Sequence, residues 1–218
     1  FNLGNVLSDL GKLKEAEISL RKAIKVQPDY ANAYSNLGII LKDLDKLEEA
    51  EIYTRKAIEL KPDFTNAHFN LGNTLSELGK FQEAEISLRK TIKLQPDHAE
   101  AYANLAQLEL LNGNYQSGLE NYEFRFKTKR PPITHGKTKL KRIESKKLPK
   151  GEKLLIISEQ GLGDTLQYMR YIPYLRNLGL DVSFCAQKKL HSLIRSSGID
   201  SQPFTPEETR TFSKGKWI

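Results

Sequence analysis

One amide side chain recurs at a fixed interval through the first half of the chain. Asparagine stands at four positions that are 34 residues apart, namely Asn2, Asn36, Asn70 and Asn104. An amide both donates and accepts hydrogen bonds, so a row of amides can pair with a peptide backbone whatever its sequence. The same amides can instead bridge neighbouring helices. The spacing leaves both roles open, an extended-peptide site and a structural ladder.

Acidic and aromatic residues accompany these amides. Seven positions beyond three of the asparagines lie Asp9, Asp43 and Glu77, about two helical turns further along much the same face. They predict an acidic stripe that suits a basic or neutral extended ligand, although a solvated helix face explains them equally well. Phe69 takes a position that holds a small residue in the neighbouring repeats, and it is a candidate apolar anchor.

The elements that position these residues are pairs of amphipathic helices, repeated every 34 residues. In the second repeat the pattern predicts helices over residues 33–44 and 47–60. Proline lacks the N–H group and clashes with the preceding turn, so it ends each second helix. These prolines are Pro28, Pro62 and Pro96. The reversal between paired helices falls on Gly11 and Gly79, with Asp45 at the equivalent position of the second repeat.

These segments resemble the tetratricopeptide repeat, which combines large residues with Gly, Ala and Pro at set positions. The second repeat supplies Tyr34, Leu37, Gly38, Leu41, Asp45, Ala50, Thr54, Ala57 and Pro62. The third supplies His68, Leu71, Gly72, Leu75, Gly79, Ala84, Leu88, Thr91 and Pro96. The resemblance covers residues 1–125, about three and a half to four repeats, and implies a right-handed α-solenoid. The fourth repeat, with Gly118 and Arg125 at Ala positions, is expected to cap the stack.

In such a solenoid the first helices line the concave face, and the asparagine row is similar to the asparagine ladder of O-linked N-acetylglucosamine transferases. The resemblance implies binding of an extended peptide or partner protein. The residues expected to contact it are Asn2, Asn36, Asn70, Asn104, Phe69, Asp43 and Glu77. Chaperone-binding repeats use Lys and Arg on this face, where this chain has Asn and Phe. We therefore do not expect capture of an acidic C-terminal tail.

The positive charge of the chain is concentrated in one short segment. The net charge is −5 over residues 1–124, +10 over residues 125–150 and +2 over residues 151–218. We interpret residues 126–150 as a basic linker, because Pro and Gly interrupt it and no helical period survives. Beyond Phe126 it has no aromatic residues for stacking on single-stranded RNA. Nucleic acid or anionic lipid can bind such a segment through charge, but we favour a solvated connector.

A different composition begins at residue 151. The apolar segment 153–158 is typical of a buried parallel strand, and a Gly-Leu-Gly-Asp turn follows it at residues 161–164. Helical spacing over 165–178, a strand at 181–186 and a helix at 188–196 complete an alternating order, which predicts a parallel α/β fold. A brief strand around residues 202–204 and a capping box at residues 205–208 follow. Leu166 breaks the dinucleotide-binding glycine pattern, and no P-loop is present.

The string over residues 158–176 resembles the N-terminal half of heptosyltransferase-like glycosyltransferases, which in bacterial relatives follows tetratricopeptide repeats. The resemblance implies a Rossmann-like domain over residues 151–218. It also implies that Asp164 deprotonates an acceptor hydroxyl; an N-cap role is the alternative. Gly161 and Gly163 are assigned to the tight turn, and Gln160 to the ligand-binding end of the sheet. The family binds its nucleotide-sugar in a second domain, so we expect 151–218 to be incomplete and this chain alone not to transfer sugar.

Composition limits the remaining classes of function. A single cysteine, Cys185, cannot form an internal disulfide, which favours a reducing, cytoplasmic environment, and it excludes multi-cysteine zinc sites. No apolar run approaches the roughly 20 residues that span a bilayer. We therefore predict a repeat scaffold that presents an extended partner, with no metal and no cofactor of its own. The alternatives are sugar transfer by a longer parent protein and self-association through the repeats.

Overall fold

A computed structural model describes residues 1–132, 134–143, 148–159 and 161–218. The chain forms two compact units, Phe1–Arg130 and Pro131–Ile218. The first unit is helical, and the second contains a four-stranded sheet. The described residues thus contain the predicted α-helical repeats followed by a small parallel α/β unit.

Eight α-helices build the N-terminal unit as four consecutive pairs. They are α1 (Asn2–Asp9), α2 (Leu13–Val26), α3 (Ala31–Asp43), α4 (Leu47–Leu60), α5 (Thr65–Glu77), α6 (Phe81–Leu94), α7 (Ala99–Leu111) and α8 (Tyr115–Tyr122), followed by a 3-10 turn, Glu123–Lys127. In the second repeat, α4 has the predicted bounds and α3 begins two residues earlier than predicted. The local pattern was therefore sufficient to place these two helices.

The turns between helices follow from two kinds of residue. The residue before each proline is extended, with ψ of 91° at Gln27, 91° at Lys61 and 92° at Gln95, because proline disfavours the helical region for its predecessor. The reversals within pairs need a left-handed backbone: φ is 72° at Gly11 and 60° at Asp45. Asp tolerates this conformation better than most residues, which explains how it replaces glycine in the second repeat.

Small residues bring the paired helices into close contact. Ala16, Ala50 and Ala84 are fully buried at equivalent positions. A Cβ atom added to Gly72 would lie 2.8 Å from the Cγ of Leu88, closer than side-chain atoms pack. Glycine is therefore required where the first helix of the repeat crosses the second, and the large leucine fills the space beside it.

A periodic row of ion pairs joins neighbouring second helices. Arg21 contacts Glu17 on its own helix at 2.8 Å and Glu49 on the next second helix at 2.5 Å. A hydrogen bond from Lys46, with Arg21 assisting, lowers the pKa of Glu17 below its ordinary value. The same contacts recur 34 residues later among Arg55, Glu51, Glu83 and Lys80. Exposed pairs of this kind contribute at most about 1 kcal/mol each.

The fourth repeat breaks this pattern with a buried carboxylate. Glu109 is fully buried at a position equivalent to Leu41 and Leu75 in the preceding repeats. It accepts hydrogen bonds from Arg89 at 2.7 Å and from Asn121 at 2.8 Å. A buried carboxylate needs such partners because leaving water is costly for an ion. The final repeat is thus held by a specific charged contact as well as by apolar packing.

The second unit is built on a parallel sheet in the order β1-β4-β2-β3. Its elements are β1 (Lys141–Arg142), β2 (Lys153–Ile157), α9 (Leu162–Tyr168), α10 (Tyr171–Asn177), β3 (Asp181–Cys185), α11 (His191–Ser196) and β4 (Lys216–Trp217). Leu154, Val182 and Phe184 face a core with Ile172 and Ile194. The other sheet face, with Leu155 and Cys185, packs against aromatic residues that include Phe204 and Trp217.

Two features of this unit differ from the sequence-based expectation. The single helix predicted over 165–178 is two helices, because Pro173 has no N–H group to donate to the carbonyl of Met169. The predicted linker 126–150 contributes β1, whose Lys141 and Arg142 pair with Lys216 and Trp217. The Arg142 guanidinium lies 5.6 Å from the Trp217 ring centre, so a basic residue of the supposed connector is part of the sheet.

Two further predicted features, a strand and a capping box near residues 202–208, are present but shorter than predicted. The strand predicted near residue 203 is a single parallel bridge between Cys185 and Phe204. At the predicted capping box, the Thr205 N–H donates to the Glu208 carboxylate at 2.6 Å, and the Glu208 N–H donates to the Thr205 hydroxyl at 3.4 Å. A short 3-10 turn, Glu208–Thr211, follows instead of a long helix.

We predict that Arg89→Met destabilises the N-terminal unit by roughly 3 kcal/mol, the lower end for a broken buried pair because Arg89 itself is half-exposed, since Glu109 stays buried without its cation. Arg55→Met is the matched control: its partners Glu51 and Glu83 are not fully buried, so the loss should stay below about 1 kcal/mol. Urea unfolding followed by helical circular dichroism measures both. The double variant Arg89→Met/Glu109→Leu should recover most of the loss, and equal effects of the two single variants would contradict the assignment.

Candidate functional site

The asparagine row links successive first helices. The Asn36 Nδ2 donates to the Oδ1 of Asn5 at 2.8 Å, joining α3 to α1. The Asn104 Nδ2 donates to the Oδ1 of Asn73 at 2.7 Å, joining α7 to α5 in the same way. Asn36 and Asn104 thus bridge neighbouring first helices, which is one of the two roles that the sequence leaves open. Each bridge occupies one N–H of the donor amide, so its second N–H and its oxygen can still serve a ligand.

The hydrogen-bonding pattern differs at Asn70, which lies between these two amide pairs. The residue equivalent to Asn5 and Asn73 in the second repeat is Ile39, which has no acceptor atom. Asn70 therefore donates to the hydroxyl of Ser35, at 3.3 Å. Asn2, the first member of the row, is exposed at the start of α1. We call the face that carries α1, α3, α5 and α7 the first-helix face.

The predicted acidic stripe is partly neutralised by a lysine that the sequence analysis did not consider. The Nζ of Lys42 lies 3.3 Å from an Asp43 oxygen and 3.4 Å from a Glu77 oxygen. Burial alone would lower the pKa of Lys42, but Glu77 and Asp43 together raise it above its ordinary value. Lys42 therefore stays charged and connects α3 to α5. Direct ligand contact by Asp43 and Glu77 stays a prediction.

Phe69 lies within the packing of the repeats. Its ring is half-buried and meets the His98 ring with 4.6 Å between centres, and it packs against the buried cluster that contains Leu71 and Leu105. These contacts explain an aromatic residue at this position without any ligand. A role as an apolar anchor stays a prediction.

A cleft of about 340 Å³ opens beside the first amide pair. Its lining residues are Gly4, Asn5, Ser8, Asp9, Leu20, Asn36, Ile39 and Ile40. The two paired amides, Asn5 and Asn36, belong to this lining, so their remaining polar atoms border the cleft. Sequence reasoning missed Asn5 and Asn73. The available signal was that each follows a row asparagine by three positions, which places it on the same helix face.

The α/β unit gives Asp164 a defined structural contact. Its Oδ2 accepts a hydrogen bond from the Gly161 N–H at 3.2 Å, which satisfies a free donor at the start of α9. Gly161 and Gly163 are outside the positive-φ glycines, and a Cβ at Gly163 would meet no atom within 4 Å. The turn therefore does not demand glycine on conformational grounds. A general-base role for Asp164 stays a prediction, and Gln160 lies outside the described residues.

A polar cluster that sequence reasoning missed lies at the carboxyl ends of β2 and β3. The Gln187 Oε1 accepts from the Thr165 hydroxyl at 3.0 Å and from the Ser158 hydroxyl at 3.5 Å. The Gln187 Nε2 lies 3.2 Å from the His135 Nε2, and the His135 Nδ1 lies 2.9 Å from the Ser158 carbonyl oxygen. His135 was missed because it belongs to the supposed linker. The signal for Ser158 and Gln187 was their place just after two parallel strands.

Other kinds of site receive no support in the described part of the chain. No cluster of three or more His, Cys, Asp or Glu side chains that could hold a metal ion occurs there. Burial raises the pKa of the Cys185 thiol to about 12, so this cysteine is not a thiolate nucleophile near neutral pH. Among the described helices, none combines the length and apolar character needed to cross a bilayer.

Self-association through the repeats stays a prediction. Leu3 and Val6 on α1 and Leu10 at its C-cap are exposed by 61%, 54% and 67%. The α3 equivalents of the first two, Leu37 and Ile40, are buried. The face of α1 that carries these three residues is therefore apolar and open to contact.

Sequence profiles identify the repeats independently. The profile described as TPR repeat matches residues 4–45, and two profiles described as Tetratricopeptide repeat match residues 31–64 and 69–123. Together these matches span more than half of the 218 residues. They do not extend into the α/β unit. No curated protein matches the chain.

Solved structures share the fold of the N-terminal unit. A crystal structure of MamA matches with a TM-score of 0.54 and 24% identity, over 56% of this chain and 72% of that one. A MamA fragment from Desulfovibrio magneticus RS-1 matches at 0.54 and 16%, over 59% and 75% of the two chains. The first repeat domain of Spaghetti (RPAP3), bound to the HSP90 peptide SRMEEVD, matches at 0.51 and 24%, over 51% and 89%. At these identities the likeness concerns the fold.

We predict that Asn73 and Asn104 stabilise the unit jointly. In a double-mutant cycle with Asn73→Ala and Asn104→Ala, the coupling should be about 0.5–1.5 kcal/mol, the usual net contribution of a hydrogen bond. The control cycle pairs Asn73→Ala with Asn36→Ala, whose side chains are not hydrogen-bonded to each other, and should give coupling near zero. Urea unfolding measures both cycles, and equal coupling in the two would show that the amides do not act as pairs.

Proposed function

The N-terminal unit of the chain belongs to the tetratricopeptide repeat family, and we propose that its first-helix face binds an extended segment of a partner protein. The observation that carries the proposal is the pair of amide bridges, Asn36 to Asn5 and Asn104 to Asn73, at 2.8 and 2.7 Å. Each bridge fixes two amides in position while leaving polar atoms for a backbone. Groups that are already ordered lose little entropy when a ligand binds.

The spacing of the first helices suits an extended chain. Packed helices lie about 8–10 Å apart, and an extended peptide advances about 3.3 Å per residue. About one peptide group in three therefore lies level with an asparagine of the row. Because an amide pairs with any peptide backbone, the row supplies affinity that depends little on the ligand's sequence. Selectivity then comes from the side chains that line the face between the amides.

The charge of this face distinguishes the proposed ligand from the one seen in a related fold. The Spaghetti domain was solved with a peptide, SRMEEVD, that carries three acidic residues. On the first-helix face of this chain, Asp9, Asp43 and Glu77 recur at the 34-residue step, and Lys42 offsets only one of these three negative charges. Like charges facing each other across an interface are unfavourable. We therefore propose a neutral or basic segment as the ligand.

The test measures fluorescence anisotropy of a labelled random-peptide pool against the full chain and an Asn36→Ala/Asn104→Ala variant. We expect the variant to bind several-fold more weakly while keeping its helicity. Asn32→Ala/Asn66→Ala is the matched control, since these two exposed amides belong to α3 and α5 but not to the row. Repeating the titration at higher salt separates binding by the basic segment, which salt screens. Equal binding by all three proteins would contradict the proposal.

We further propose that the α/β unit binds a hydroxyl-rich acceptor at the carboxyl ends of its strands, as part of a sugar-transfer site. The observation in favour is the convergence of Ser158, Thr165, Gln187 and His135 at that edge, where open parallel sheets bind ligands. Asp164 lies in the first turn of α9, next to Thr165 of this cluster, and is the proposed base. It would need to approach the acceptor hydroxyl within about 3 Å.

Turnover of ADP- and UDP-linked sugars by the full chain tests this second proposal. If Asp164 is the base, Asp164→Asn should lose about 100-fold or more of any transfer activity. Asp181→Asn is the control, because Asp181 is exposed at the opposite, amino end of β3, and it should keep full activity. Equal rates in parent and Asp164→Asn would remove Asp164 from the mechanism. No turnover in the parent would agree with the expectation that residues 151–218 are incomplete, and it would reject a working transfer site in this chain.

A further inference from the structure

The cleft beside the first amide pair has the makings of a side-chain pocket. Leu20 and Ile40 line it and are almost fully buried, and Gly4 also lines it, at the close contact between α1 and Leu20 of α2. Asn5 and Asn36 form one part of its rim, and Asp9 and Ser8 another. The cleft thus combines an aliphatic floor with a polar, acidic rim.

Every lining residue has an equivalent 68 residues later, two repeats further along. These equivalents are Gly72, Asn73, Ser76, Glu77, Leu88, Asn104, Gln107 and Leu108. Only the replacement of Ile39 by Gln107 changes the character of a position substantially. The amide pair is reproduced as well, at 2.7 Å against 2.8 Å. The amide partners Asn5 and Asn73 therefore recur at a step of two repeats, whereas the row asparagines recur at every repeat.

The intervening repeat interrupts this arrangement with a cation. Lys42 stands at the position that Ser8 and Ser76 occupy in the repeats on either side. Its ammonium contacts Asp43 and Glu77 at 3.3 and 3.4 Å. The chain thus already holds one lysine side chain beside its acidic stripe. Among the described residues no cation pairs with Asp9, the remaining member of that stripe.

We propose that the cleft bordered by Asn5, Asp9 and Asn36 binds a lysine or arginine side chain of the extended partner. The inference rests on the proposed function and adds to it the identity of one ligand side chain. The alkyl stem of a lysine or arginine packs on the apolar floor, as these side chains do when their charged ends stay near water. The charged end pairs with the Asp9 carboxylate, and the amides hold the neighbouring peptide groups.

The two-repeat period also sets a distance along the ligand. Two helix spacings of about 8–10 Å each correspond to roughly six residues at about 3.3 Å per residue. The equivalent residues beside Asn73 and Asn104 therefore meet the ligand about six residues away. Since Lys42 already contacts Glu77, we expect an uncharged ligand side chain at this second position.

The experiment uses two labelled random-peptide pools that differ at one fixed central position, lysine in one and norleucine in the other. We expect the full chain to bind the lysine pool roughly two- to fivefold more tightly, the range for a solvent-exposed ion pair. Asp9→Asn should abolish this preference, whereas Asp29→Asn, in the loop before α3, should leave it intact. Lys42→Ser should strengthen binding of the lysine pool, because it frees Asp43 and Glu77.

The outcomes separate the two proposals. Equal binding of both pools, unchanged in Asp9→Asn, overturns the lysine pocket while leaving peptide binding by the amides in place. Absence of binding by either pool overturns both. A third pool with glutamate at the fixed position controls for the basic segment at residues 125–150: if it binds as tightly as the lysine pool, charge on that segment accounts for the signal and the pocket is rejected.

Discussion

The close crossing of helices within each repeat governs the rest of the N-terminal unit. At Gly4 and Gly72 a methyl group would lie 2.8 Å from the Cγ of a buried leucine, so the two helices touch through backbone on one side. The contact recurs at Gly38, where a Cβ would meet the Thr54 side chain, so the helices of successive pairs cross in the same way. The amide bridges then form at 2.8 and 2.7 Å in two separate places, because an identical crossing places identical side chains at identical distances.

Local residue signals were enough to predict the repeats from the sequence, whereas the contacts between helices could not be predicted in this way. Pro62 and the left-handed position at Asp45 mark where chains must turn, and the helix between them has the predicted bounds, Leu47–Leu60. The bridging partners Asn5 and Asn73 escaped notice because their role depends on a distance between two helices. The same is true of Lys42, which is one of many surface lysines in sequence and becomes distinctive only when Glu77 lies 3.4 Å away.

The α/β unit was predicted less completely because its order depends on pairing between distant segments. Strands β2 and β3 are apolar runs and were recognised, but β1 has two basic residues, Lys141 and Arg142, and its membership in the sheet depends on pairing with β4 near residue 217. His135 likewise contacts Ser158 and Gln187 across 23 and 52 positions. A short charged segment carries no local sign of such partners, so composition alone assigned it to a connector.

The buried Glu109 has a consequence for how the repeat array comes apart. In linear repeat arrays each repeat contacts only its neighbours, so a terminal repeat is held by one interface. Here Glu109 lies on α7, the first helix of the fourth repeat. Its carboxylate contacts Arg89 of α6 and Asn121 of α8. Separation of α8 alone would remove the hydrogen bond of Asn121 from the fully buried Glu109 carboxylate. Release of α8 alone is therefore less favourable than release of α7 and α8 together, because Glu109 regains contact with water only in the second case.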